Sequence, residues 1–158
     1  MTKYIFMSFY LGWIHMATAG SVGVIDNQLR PCPDKPNCVC SFEQPSSSHY
    51  VEPLKLSTNP IPSLSSLLKS NGFEIITENQ NYIHATEKSS FFKFIDDVEL
   101  LYDEDKGLLH FRSASQTGYY DLGVNQKRVK KLKALIEKSL EDEIALINTP
   151  VTAAGKPW

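Results

Sequence analysis

Apolar positions along the chain change their spacing from one segment to the next, and each spacing predicts an element. Leu64, Leu67 and Leu68 lie three and four apart between Ser63 and the pair Asn71-Gly72, the pattern of a short amphipathic helix with a serine at its start and a glycine stop. Val129, Leu132, Leu135, Ile136, Leu140, Ile144 and Ile147 keep the same period over a longer stretch, so a second helix is expected after Asn125, a good N-cap residue. Residues 73–77 and 82–86 read as strands around the polar turn 78–81. Residues 96–102 and 108–115 flank Asp103-Glu-Asp-Lys-Gly107, whose glycine suits a left-handed hairpin position. Residues 50–56 read as a short strand with Pro53 marking an edge. Strands paired by tight turns, with helices set apart, imply an α+β fold: an antiparallel β-sheet with a short and a long helix packed on one face.

The N-terminus follows a different rule. After Lys3, residues 4–16 are an apolar run that ends in Ala17-Thr18-Ala19, the small-x-small pattern of a secretory signal cleaved before Gly20. The run falls short of the roughly 20 apolar residues that span a bilayer, although an uncleaved anchor is the alternative. The expected organisation is a signal peptide over residues 1–19, a single α+β domain over 20–148 and an irregular tail over 149–158, where Pro150, Gly155 and Pro157 interrupt any regular element. The expected location is outside the cytoplasm, in the periplasm or cell envelope. Membrane attachment is expected only if the N-terminal segment is retained.

Composition narrows the function classes. With 42% apolar residues in 158, the chain has material for one core, and sixteen basic against eighteen acidic residues argue against a partner held by phosphate neutralisation, so no nucleic acid is expected. No glycine-rich strand-to-helix loop of the dinucleotide or P-loop kind is present in the sequence, and no cofactor is expected. Cys32, Cys38 and Cys40 fall within nine residues. In an oxidising compartment a Cys32–Cys38 disulfide is favoured, because two prolines bend the segment between them. A thiolate metal site would need a fourth ligand that only distant His49 could supply, so no metal is expected; free or intermolecular thiols are the other reading.

The chemistry concentrates in Asp96, Asp97, Arg112, Ser113, Ser115, Asp121, Asn125 and Arg128. A hairpin turn centred between Glu104 and Asp105 would set Arg112 opposite Asp97 to within a residue, as an ion pair. Lys127, Arg128, Lys130 and Lys131 crowd the start of the last helix, where the macrodipole disfavours cations. Their counter-charge is either the acidic run 96–105 or an external small anion held by Arg112, Arg128 and the free helix amides. Ser113 or Ser115 with His84 or His110 as base would make a hydrolase. However, strand alternation points His110 with Arg112 and away from Ser113, and it sends Asp96 and Asp97 to opposite faces. No catalytic residue is therefore assigned. A non-catalytic module binding a small anionic ligand or an envelope protein partner is preferred, with a hydrolase as the alternative. A third reading makes Asp121, Gly123 and Asn125 a turn-and-cap device that ties the hairpin to the helix.

Several separated motifs occur in one order: Leu29-Arg-Pro-Cys32-Pro-Asp-Lys-Pro-Asn37-Cys38-Val, then Phe94-Ile-Asp96-Asp97-Val-Glu, then Arg112-Ser-Ala-Ser115, Gly118 and Asp121-Leu-Gly123-Val-Asn125-Gln-Lys-Arg128. Together they resemble the family catalogued as domain of unknown function number 1499, over about residues 29–140. The resemblance implies a compact bacterial and plastid-type domain with these polar motifs as its hallmark, often exported or membrane-associated, and it supplies no activity. The chain departs from the family pattern at Cys40, where Ser is usual, and at Gln116 and Gln126, where Arg is frequent.

Overall fold

The computed structural model describes residues 21–88 and 94–148. The expected signal peptide and C-terminal tail lie outside the described residues. In chain order the elements are β1 (Val24–Ile25), β2 (Gln28–Leu29), β3 (Cys38–Cys40), β4 (Leu54–Lys55), α1 (Ile61–Ser70), β5 (Phe73–Glu78), β6 (Tyr82–Lys88), β7 (Ile95–Asp103), β8 (Leu108–Ser115) and α2 (Val124–Asn148). The main sheet runs β3-β8-β7-β6-β5 with β4 also on β8, every pairing antiparallel, while β1 and β2 form a separate small hairpin. The fold is α+β.

Alternation along the central strands builds two unlike faces. Val98, Leu100 and Tyr102 of β7 share a side with Leu109 and Phe111 of β8, and they pack with Ile61, Leu64 and Leu68 of α1 and Val129, Leu132 and Ile136 of α2. Each of these aliphatic side chains, taken fully out of water, contributes about 1.5–3 kcal/mol, which is what holds both helices to this side. The opposite side is covered by the N-terminal segment, a strap whose Leu29 packs with Cys40, Tyr82 and Leu101 while Cys32 and Phe42 border them.

Three elements differ from the sequence pattern for local reasons. Helix α1 starts at Ile61, ahead of Ser63, because Pro62 fits a first turn and Asn59 Oδ1 accepts the Ile61 N–H at 3.0 Å. The strand expected over 50–56 contracts to Leu54–Lys55, since Pro53 has no N–H to add to a ladder. Helix α2 starts at Val124, so Asn125 lies inside its first turn and the capping falls to Asp121, whose carboxylate accepts the Gly123 and Asn125 N–H groups at 2.8 and 3.0 Å. The turn between β7 and β8 carries Gly107 at φ +63°, and a Cβ there would sit 2.8 Å from the Leu56 carbonyl oxygen. Only glycine lets that turn meet the end of β4.

Candidate functional site

The helix face of the sheet holds one polar network. Asn125, fully buried, donates from its side-chain amide to the Asn37 carbonyl at 2.9 Å and to Asp121 at 2.7 Å, and its oxygen accepts the Ser113 hydroxyl at 2.6 Å. Ser115 Oγ lies 3.2 Å from the same amide nitrogen. Arg128, one turn further along α2, has all three guanidinium nitrogens engaged. Nη1 donates to Ser113 Oγ at 3.0 Å and to Asn125 Oδ1 at 2.6 Å, Nη2 donates to Asp96 and Nε donates to Glu87. Arg128, Asp96 and Ser113 are all buried, and Glu87 keeps an edge in water.

The strap face holds a second network. Arg112 Nη1 donates to Glu99 Oε2 at 2.7 Å, and the other carboxylate oxygen accepts the Tyr82 hydroxyl at 2.8 Å and the Gly23 N–H at 2.6 Å. Arg112 is 1% exposed and Glu99 0%, so this ion pair is dry. Burial, and then the Glu99 carboxylate, push the Tyr82 phenol well above its usual range, so it stays a donor. On the same face, His84 Nε2 meets Asp97 Oδ1 at 2.8 Å, with Gln116 donating to that oxygen at 3.1 Å. His110 stacks on Phe42 with ring centroids 4.0 Å apart, and burial lowers its pKa from 6.5.

The sheet thus divides the eight residues the sequence grouped together. Asp96, Ser113, Ser115, Asp121, Asn125 and Arg128 meet on the helix face, and Asp97 and Arg112 lie on the other. Arg112 stands opposite Glu99 and not Asp97, because Asp103 pairs with Leu108 and the turn is centred one residue later than expected. A one-residue shift of the turn centre moves every cross-strand partner by two, which preserves the face. The guanidinium therefore still meets a carboxylate. Glu87 and the Asn37 carbonyl carried no local signal, since β6 and β3 reach the site only through sheet register.

The counter-charge at the start of α2 is correspondingly local. Arg128 is answered by Asp96 and Glu87, whereas Lys127, Lys130 and Lys131 are exposed and make no ion pair within 4 Å among the described residues. The acidic turn 103–105 lies at the far end of β7 and does not face them.

Cys32 and Cys38 form a disulfide with Cα atoms 5.6 Å apart, tying the strap to β3. Cys40 is a free, buried thiol, pushed up to about 11 chiefly by burial.

Residues 28–136 match the model of the family described as protein of unknown function (DUF1499). The chain belongs to that family. The matched stretch runs from β2 into α2, so every side chain of both polar networks lies within the DUF1499 domain, and only the Gly23 N–H comes from before it. No curated protein and no solved structure matches the chain.

Chemically, the DUF1499 networks satisfy their charges internally, with one buried atom of each arginine–carboxylate pair left unpartnered, Asp96 Oδ1 and Arg112 Nε. Ser113 gives its proton to a side-chain amide, and the His84–Asp97 pair lies across the sheet from it, so neither serine has an imidazole base among the described residues. No group of three or more His, Cys, Asp or Glu side chains among the described residues is placed to hold a metal ion. No helix among them is long and apolar enough to cross a membrane.

Proposed function

We propose that this DUF1499 protein is a non-catalytic binding or scaffold module of the cell envelope, in which the polar cluster locks the fold and leaves recognition of partners to the surface. The observation that carries this reading is the internal neutralisation of Arg128 and Arg112 by Glu87, Asp96 and Glu99, all but Glu87 buried. An external phosphate or carboxylate would have to displace these carboxylates from a desolvated site. The Cys32–Cys38 bridge supports an oxidising location, and the apolar run before Ala19 supports export.

Thermal unfolding with and without millimolar phosphate tests the lock. Phosphate should leave the wild-type midpoint unchanged, and Arg128→Ala should lower that midpoint in either buffer. A phosphate-dependent rise that disappears in Arg128→Ala would restore the anion-binding reading. Hydrolysis of an ester or amide substrate that stops in Ser113→Ala would establish the enzyme instead.

A further inference from the structure

The loop of residues 116–123, which the helix-face network holds in place, presents its apolar side chains outward. Tyr120 is 73% exposed and Leu122 83%, with Tyr119 beside Tyr120 at a ring separation of 5.3 Å. Leu122 has a φ of +54°, a left-handed backbone that bulky side chains rarely adopt. It is set there by the Asp121 carboxylate, which accepts the N–H groups on either side of Val124. A conformation unfavourable to leucine thus coincides with a leucine side chain left in water. Phe94 and Ile95, half exposed, lie at the same end of the sheet, since Ile95 accepts the Gln116 N–H and pairs with Lys88.

Among the described residues the charges that reach water at this end are mainly cations. Lys88, Lys127, Lys130 and Lys131 are exposed, while Glu87, Asp96, Asp97 and Asp121 are taken up in hydrogen bonds, and exposed Glu74, at the start of β5, is matched in number by exposed Lys69 at the end of α1. Asp34 is followed by Lys35, and Glu52, in the groove beside Lys127 and Lys130, is balanced by Lys133. The other end has the opposite net sign: Glu104, Asp105, Glu141, Asp142 and Glu143 are exposed there against Lys55, Lys106 and Lys138. Roughly 30 Å of strand separates the ends, from the rise per residue of β7. The molecule is near neutral in sum and electrically polar along its length.

We propose that the basic end docks on an anionic lipid surface, with Leu122 and the tyrosine rings entering the headgroup layer and the lysines over acidic lipid. Tyrosine is amphipathic in the way an interface requires, and lysines without fixed partners act as point charges for a fluid array of phosphates. A protruding leucine also needs a deformable counterpart, which a headgroup layer provides. This surface is exposed and the cluster beneath it is buried, so the proposal rests on the cluster being a lock, yet it fails separately from the phosphate experiment.

Sedimentation of the full chain with phosphatidylcholine vesicles, with and without phosphatidylglycerol, tests it. The expected result is stronger binding to the anionic vesicles, weakened by salt and reduced roughly twenty-fivefold in the Lys127→Ala, Lys131→Ala double variant, at about fivefold per surface lysine. A polarity-sensitive fluorophore on Leu122→Cys should shift to the blue on the anionic vesicles, and the same probe on Glu104→Cys should not. This readout is independent of any binding by the apolar N-terminal run, and buried Cys40 does not compete for the label. Equal binding to both vesicle types, or a probe at residue 122 that stays in water, overturns the proposal. Lysine-dependent binding to polyglutamate without a shift at residue 122 would point to an acidic protein partner in its place.

Discussion

Each face of the sheet immobilises one arginine, and the two are held unequally. Arg128 on the helix face spreads its charge over two carboxylates, a serine and an amide, and its partner Glu87 keeps a side-chain exposure of 27%. Arg112 on the strap face pairs with Glu99 in near-complete dryness, and its Nε has no partner. Water can partly replace what Arg128 would lose. At Arg112 nothing can, as long as the strap stays shut, so the smaller network is the more brittle one.

Arg112→Ala should show this most strongly. It leaves Glu99 buried without its counter-charge and is expected to cost about 3–5 kcal/mol in urea unfolding, more than Arg128→Ala. The paired change Arg112→Met with Glu99→Gln should recover part of that loss, because it removes both desolvated charges together while an amide oxygen still accepts from Tyr82 and Gly23. A larger cost for Arg128→Ala would reverse the ranking of the faces.

A smaller effect separates the faces without touching either arginine. Cys32→Ser unties the strap from β3 and is expected to cost about 2 kcal/mol, the chain-entropy value for so short a loop. In hydrogen exchange, the Gly23 amide, which rests on Glu99, should lose protection while the Asn125 amide, on Asp121, keeps it. Equal loss at both sites would mean that the faces open as one unit.

The smallest effect concerns acid. Burial holds the folded pKa of His110 below 6.5, so the unfolded chain binds its proton first as pH falls. The stability this neutral ring contributes is present above about pH 6.5 and is lost as pH drops through the lowered folded value. His110→Phe keeps the stack on Phe42 and should flatten that part of the curve of urea midpoint against pH. An unchanged slope would clear His110 of this acid sensitivity.

Periodicity makes most of the fold legible in the sequence. The leucine stripe of α1, the long stripe of α2 and the left-handed glycine at position 107 all lie where local spacing puts them, because each is decided by its own few residues. The buried part of the α2 stripe nevertheless ends near Ile136, and Ile144 and Ile147 are exposed, since the sheet stops before the helix does. The site was less legible. Alternation along β7 was enough to separate Asp96 from Asp97, but the partner of Arg112 depended on the centre of a turn, where a single residue decides the register. The Arg128–Glu87 contact needs β6, β7 and α2 in place at once, so no window of sequence contains it. Capping by Asp121 is half legible: Asp121, Gly123 and Asn125 mark a turn-and-cap device, but both polar side chains have capping chemistry, and only the start of α2 at Val124 gives the role to Asp121.

The burial of Cys40 has a consequence in time. Three sulfurs within nine residues allow three pairings while the chain is open, and thiolate attack can interconvert them. Once β3 docks against β8, Cys40 is 0% exposed and its thiol stays protonated at neutral pH. The sulfur nearest in sequence to the bridge is then withdrawn from exchange. A strand of three residues thereby acts as a latch, turning whichever bridge is compatible with docking into the one that persists.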